Sequence, residues 1–188
     1  MKNLTLLFLL FSISLCTLFA QQSFEFAYST GRNDQARAVT QCKDKGYAVI
    51  GSTVNYSSST DLYLMKTDQN GIFEWAKRMG GLGLDGGEDI IELSDSGFGI
   101  VGYSQSNGNY DLFFVRTDKQ GDTLFTKLIG GSDWDFGYSL QSTSAKGFIL
   151  AGSSVVNGKS KAYLVKLDSL GNMLWKKTFG GSQESVFE

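Results

Sequence analysis

The side chains able to carry chemistry in this chain are few, and one absence narrows them at once. The sequence contains no histidine. That removes Ser-His-Asp and Cys-His nucleophilic sites and the usual histidine zinc sites. Of the two cysteines, Cys42 stands among Gln41, Lys43, Asp44 and Lys45 near a turn. It reads as an ordinary exposed or half-buried thiol rather than as a nucleophile. The run Gly81-Leu82-Gly83-Leu84-Asp85-Gly86 matches G-x-G-x-x-G. A dinucleotide site would need that loop to open a helix in a βαβ unit, and only a short strand follows here. We read it as a flexible loop.

Acids gather in the same kind of loop: Asp85, Glu88 and Asp89, then Asp133 and Asp135, then Glu184. Paired carboxylates can hold calcium or perform glycosidic acid/base work. No EF-hand spacing is present, so these acids are expected on a solvated rim. Aromatic residues stand close by. Tyr56, Tyr103, Tyr110 and Trp134, with Asp133 and Asp135, form the candidate binding rim for a sugar or a protein. No catalytic residue, cofactor-binding residue or metal ligand is assigned, and no cofactor is expected.

These residues are carried by a repeat of about fifty residues. Gly46-Tyr47-Ala48-Val49-Ile50-Gly51-Ser52 matches Gly97-Phe98-Gly99-Ile100-Val101-Gly102-Tyr103 and Gly147-Phe148-Ile149-Leu150-Ala151-Gly152-Ser153. Downstream, Asp61-Leu62-Tyr63-Leu64-Met65-Lys66-Thr67-Asp68 matches Asp111-Leu112-Phe113-Phe114-Val115-Arg116-Thr117-Asp118. Lys161-Ala162-Tyr163-Leu164-Val165-Lys166-Leu167-Asp168 is the third copy. Each copy runs on through Gly71, Gly121 or Gly171 to an aromatic residue (Trp75, Phe125, Trp175) and then to a Gly-Gly pair. Asp68, Asp118 and Asp168 open hairpin turns, because an aspartate can bond its own backbone and the following glycine can take a positive φ. Lys66, Arg116 and Lys166 recur beside them and read as devices of the repeat rather than as one active site.

The segments between the turns are short, aromatic and β-branched. In the second copy they predict strands over 88–93, 98–104, 112–117 and 123–129. The third of these, Leu112 to Val115, is apolar at every position. A strand of that kind must be covered on both faces, which stacked four-stranded sheets achieve and a sandwich with one wet face does not.

The chain opens with Met1-Lys2, an apolar stretch from Leu4 to Phe19, then Ala20 and the polar Gln21-Gln22. Residues 1–20 read as a secretory signal peptide. The stretch is too short for a spanning helix and no basic stop-transfer cluster follows, so no membrane anchor is expected after cleavage. Leu15 before Cys16 argues against lipidation. The protein is therefore expected outside the cell, at the cell surface or in the periplasm. Its net charge of −2 has both signs interspersed, which gives no basic patch for nucleic acid.

The pattern D-x-x-G-x-x-x-W followed by Gly-Gly resembles quinoprotein-like bacterial propellers, and more closely the repeats of secreted and surface β-propellers of the Bacteroidetes group. The resemblance implies an all-β array of four-stranded antiparallel blades over 21–188, with units at 32–81, 82–131 and 132–181. A partial strand at 24–28 and a truncated unit at 182–188 flank them. It implies that Trp75, Phe125 and Trp175 dock each blade onto the next. Three blades are too few to close a propeller, so the count points to a fragment of a longer protein or a truncated reading frame. A β-trefoil is the alternative fold. The expected role is an exported, non-catalytic module that binds a protein or glycan at the cell envelope. The alternative is the scaffold of a secreted hydrolase or lyase whose catalytic residues lie in further blades.

Overall fold

The computed structural model describes residues 25–54, 59–106 and 108–180. The expected leader over 1–20, Tyr56 of the candidate rim and the truncated unit over 182–188 lie outside them. The described residues form twelve strands and no helix, in three separate four-stranded sheets. The first holds β1 (Asp34–Gln41), β2 (Tyr47–Val54), β3 (Thr60–Thr67) and β4 (Phe73–Met79). The second holds β5 (Asp85–Glu92), β6 (Phe98–Ser106), β7 (Asn109–Thr117) and β8 (Thr123–Ile129). The third holds β9 (Asp135–Ser142), β10 (Phe148–Val156), β11 (Lys159–Leu167) and β12 (Met173–Phe179). Each sheet is an antiparallel meander in chain order.

Turn chemistry fixes the registers. Asp68 Oδ1 accepts the backbone N–H groups of Asn70 and Ile72, both at 2.8 Å. Asp118 repeats this with Gln120 and Asp122 at 2.9 Å, and Asp168 with Leu170 at 2.9 Å and Asn172 at 2.8 Å. Gly121 and Gly171 complete their turns at φ 79° and 76°, a region that a side chain disfavours. A Cβ on Gly121 would also lie 2.5 Å from Trp75 Cζ3, because the indole of the first sheet rests on the turn of the second. Phe125 lies against Gly171 of the third sheet in the same way. Trp175, with no described sheet beyond it, is 40% exposed.

The second sheet is buried on both faces. Ile100, Phe113 and Val115 enter one core with Ala48, Ile50, Leu62 and Leu64 of the first sheet. Val101, Leu112 and Phe114 enter another with Leu150, Tyr163 and Val165 of the third. Consecutive residues of β7 thus serve opposite cores, the period-2 geometry of a strand. The sheets approach most closely along their first strands: β5 lies over β1, β2 and β3, and β9 over β5, β6 and β7. The last strands β4, β8 and β12 are largely solvated.

Two expectations are corrected. Residues 25–30 carry no secondary structure, where a strand was read over 24–28; no third strand of their own sheet stands beside them to supply a ladder. The trefoil alternative fails because every strand pairing stays within one four-stranded sheet, whereas a trefoil joins its units into a shared barrel. Among the described residues no helix is long and apolar enough to cross a membrane.

Close approach at the first strands generates a testable contrast. A Cβ on Gly137 would lie 2.4 Å from Val101 Cγ2 and 2.9 Å from Leu112 Cγ, while one on Gly131 meets nothing within 4 Å. Gly137→Ala is expected to destabilise the chain by about 1–3 kcal/mol through overpacking. Gly131→Ala should stay within about 0.5 kcal/mol. Urea denaturation of the two variants measures the difference.

Candidate functional site

An aromatic groove runs across the junction of the second and third sheets. Tyr103 comes from β6, Tyr110 from β7, and Phe136 and Tyr138 from β9; Trp134 immediately precedes β9. Thr60, Leu84 and Glu88 complete a groove of about 630 Å³. The rings pack into one cluster. Tyr110 stands 5.6 Å from Trp134 and 5.3 Å from Phe136, and Tyr103 stands 5.8 Å from both Tyr110 and Phe136. Phe136 and Tyr138 stack with an interplanar angle of 6°. Trp134 is 53% exposed at the mouth.

The backbone explains why these rings meet. Trp134, Phe136 and Tyr138 alternate along an extended segment and so share one face. The Trp134 carbonyl accepts the Val155 N–H at 2.8 Å, which ties the loop to β10. Gly86 leaves room for Tyr103, whose Cζ would lie 2.7 Å from a Cβ there. Tyr138 Oη and Ser153 Oγ are hydrogen-bonded at 3.0 Å, which fixes the last ring. Burial pushes the Tyr103 phenol above its ordinary pKa, with the Glu88 carboxylate adding to the effect. Burial likewise raises Glu88, against the opposing pull of Arg37, whose Nε lies 3.7 Å from Glu88 Oε1.

Three of the rim residues expected from sequence, Tyr103, Tyr110 and Trp134, come together here. Asp133 and Asp135 do not join them, because alternation turns them away from the face that carries Trp134. They line a separate cavity of about 440 Å³ with Ser154, Tyr163 and Lys176. Asp133 is exposed, but Asp135 is buried and its Oδ2 accepts the Gly131 N–H at 2.9 Å. Asp85 does the same for Gly81 at 2.7 Å, and Asp34 for Thr30 at 2.7 Å. This aspartate is therefore a clasp at the entry to each first strand. Asp89 bridges sheets: its Oδ2 accepts Ser139 Oγ at 3.0 Å and the Leu140 N–H at 2.9 Å. The solvated acidic rim expected from sequence is thus corrected at Asp85, Asp89 and Asp135, each of which turns Oδ2 to a backbone or inter-sheet donor.

Phe136 and Tyr138 were missed, although the alternation Trp134-x-Phe136-x-Tyr138 was visible. Lys66 and Arg116 find other partners than the adjacent turn aspartates. Lys66 Nζ lies 2.9 Å from Asp44 Oδ2 and 3.2 Å from Glu74 Oε2, and Arg116 pairs with Asp95. The G-x-G-x-x-G segment leads into β5 and no helix. Among the described residues no group of three or more acidic or cysteine side chains is placed to hold a metal ion. No protein-family model matches the sequence, and no curated protein matches it.

Cys42 is 5% exposed within the first core, and burial pushes its thiol up to about 11. A maleimide reagent is expected to leave it unlabelled in the folded chain and to label it fully in denaturant; rapid native labelling, read by mass spectrometry, would refute this. Glu88 gives a pH test. Its folded pKa is raised, so the native state holds the proton more tightly than the unfolded state. Its contribution therefore weakens the fold as pH rises through the interval above its ordinary value of 4.5. Glu88→Gln should flatten this fall: the variant gains thermal stability relative to the parent near neutrality, and the gain disappears below the ordinary glutamate range.

Proposed function

We propose that the three sheets are consecutive blades of a β-propeller, and that the chain is an exported, non-catalytic module binding a glycan or protein at the cell envelope through the aromatic groove. The propeller reading is supported by the fan of sheets, close along β1, β5 and β9 and solvated at β4, β8 and β12. It is supported too by Trp75 and Phe125, each resting on the turn of the following sheet. Further sheets of the same kind complete the ring. Export rests on the leader-like residues 1–20.

One observation carries the binding reading: five aromatic rings converge on one open groove, with Trp134 half exposed at its mouth. Ring faces give a ligand apolar contact, while Thr60 and Glu88 supply polar groups at the edge. That mixture of stacking area and a few polar groups suits a sugar face with its hydroxyl rim, and this favours a glycan.

The test uses the exported chain and a panel of cello-, xylo-, malto- and chito-oligosaccharides, read by calorimetry. At least one class should bind saturably. Trp134→Ala should weaken that binding by about 1–3 kcal/mol, the range for losing an aromatic hot spot, with the fold retained by circular dichroism. Equal binding by Trp134→Ala and the parent would remove the groove from the reading. Failure of the whole panel would turn the reading to a protein partner.

A further inference from the structure

The first strand of every sheet slips its ladder at the same place. The register shifts between Ala36 and Ala38, between Gly87 and Asp89, and between Gly137 and Ser139. The residues left unpaired are Arg37, Glu88 and Tyr138. Across from each slip stands a recurring glycine, Gly51, Gly102 or Gly152. A Cβ there would run into the carbonyl oxygen of Gln35, Gly86 or Phe136. The bulge is therefore built into the repeat, and a bulge re-aims the side chain it carries.

What the bulge presents differs in every sheet: a guanidinium, a carboxylate and a phenol. Arg37 and Glu88 are neighbours, with Nε 3.7 Å from Oε1. Glu88 and Tyr138 both line the aromatic groove. The same backbone device thus places a carboxylate beside a wall of rings.

Among the described residues that line the groove, Glu88 alone carries a formal charge. Its side chain is 20% exposed, and that of Arg37 is 45% exposed. A separation of 3.7 Å is longer than a hydrogen bond, so Arg37 attracts the carboxylate without bonding it. A ligand that fills the groove strips the remaining water from Glu88. That costs free energy unless the ligand returns a donor, and a charged donor returns the most. The rings act in the same sense, because the faces of tryptophan and tyrosine attract a cation. A neutral sugar gains the apolar contact but answers the carboxylate only weakly. An anionic sugar would be repelled by it.

We infer that Glu88 makes the groove selective for a cationic ligand, and that the glycan it takes carries a free amine: an amino sugar without its N-acetyl group. The protonated amine meets Glu88, and the sugar ring lies on the aromatic wall. The inference rests on the glycan reading proposed above and adds a charge requirement to it.

Calorimetry on the exported chain at neutral pH tests it with two oligosaccharides of equal length and linkage, one of glucosamine and one of N-acetylglucosamine. The glucosamine oligomer should bind at least about tenfold tighter, and the preference should shrink as salt is raised. Glu88→Gln, a variant expected to fold at least as well as the parent, should bring the two oligomers to within about twofold of each other. Asp133→Asn removes a charge of the same sign outside the groove and should leave the preference unchanged. Equal binding of the two oligomers by the parent would overturn the inference. So would a preference that survives Glu88→Gln or that Asp133→Asn removes equally. Binding of cello-, xylo- or malto-oligosaccharides with none of the glucosamine oligomer would overturn it too, and would leave the glycan reading standing. Failure of every oligosaccharide would remove both.

Discussion

The structure depends on one constraint: a four-stranded sheet whose third strand is apolar on both faces must be sandwiched between two others. In β7, Leu112 and Phe114 turn one way and Phe113 and Val115 the other, and each pair enters a different core. Neither core is complete within a single repeat. Burial of apolar surface, the main favourable term in folding, is therefore earned between repeats and hardly at all within them. The hydrogen-bonded ladders set the shape of each sheet, and stacking decides whether the sheet persists.

Stacking in turn demands small residues at particular places. The first strand of each following sheet crosses the preceding one so closely that Gly87 and Gly137 admit no side chain. At the outer end of the same junction the relation is reversed, with the bulk supplied by Trp75 and Phe125 and the space by Gly121 and Gly171. The spacing between neighbouring sheets thus follows from where glycine and the large rings fall in the repeat. The polar clasps cooperate with it. Asp85 and Asp135 hold the Gly-Gly loops that lead the chain from the last strand of one sheet to the first strand of the next.

Much of this was legible in the sequence. Strand positions, the Asp-to-Gly hairpins and the two-faced third strand follow from local rules, because the turns bond within five residues and strand alternation has a fixed period. What was not legible depends on neighbours distant in sequence. Asp85 and Asp135 look like solvated loop acids until the chain folds back on them. Lys66 stands next to Thr67-Asp68 in sequence, yet its ammonium reaches Asp44 across the sheet, since residue order along a strand says nothing of which turn lies beneath. The strand read over 24–28 failed for the same reason: local propensity supplies a conformation, but a strand needs a ladder partner.

The groove shows how a repeat acquires a specific site. Tyr103 stands where the other copies have Ser52 and Ser153, Tyr110 next to the Asp111 that matches Asp61 and Lys161, and Trp134, Phe136 and Tyr138 where the second copy has Leu84, Gly86 and Glu88. None of the five is a consensus residue of the repeat, and all five fall at a single junction. Residues that recur in every unit, such as Asp68, Asp118 and Asp168, hold the scaffold in shape. Departures clustered at one junction are free of that duty, and here they converge in space. In a chain built by repetition, structure is carried by what recurs, and the particular properties of this chain are carried by the few positions that differ.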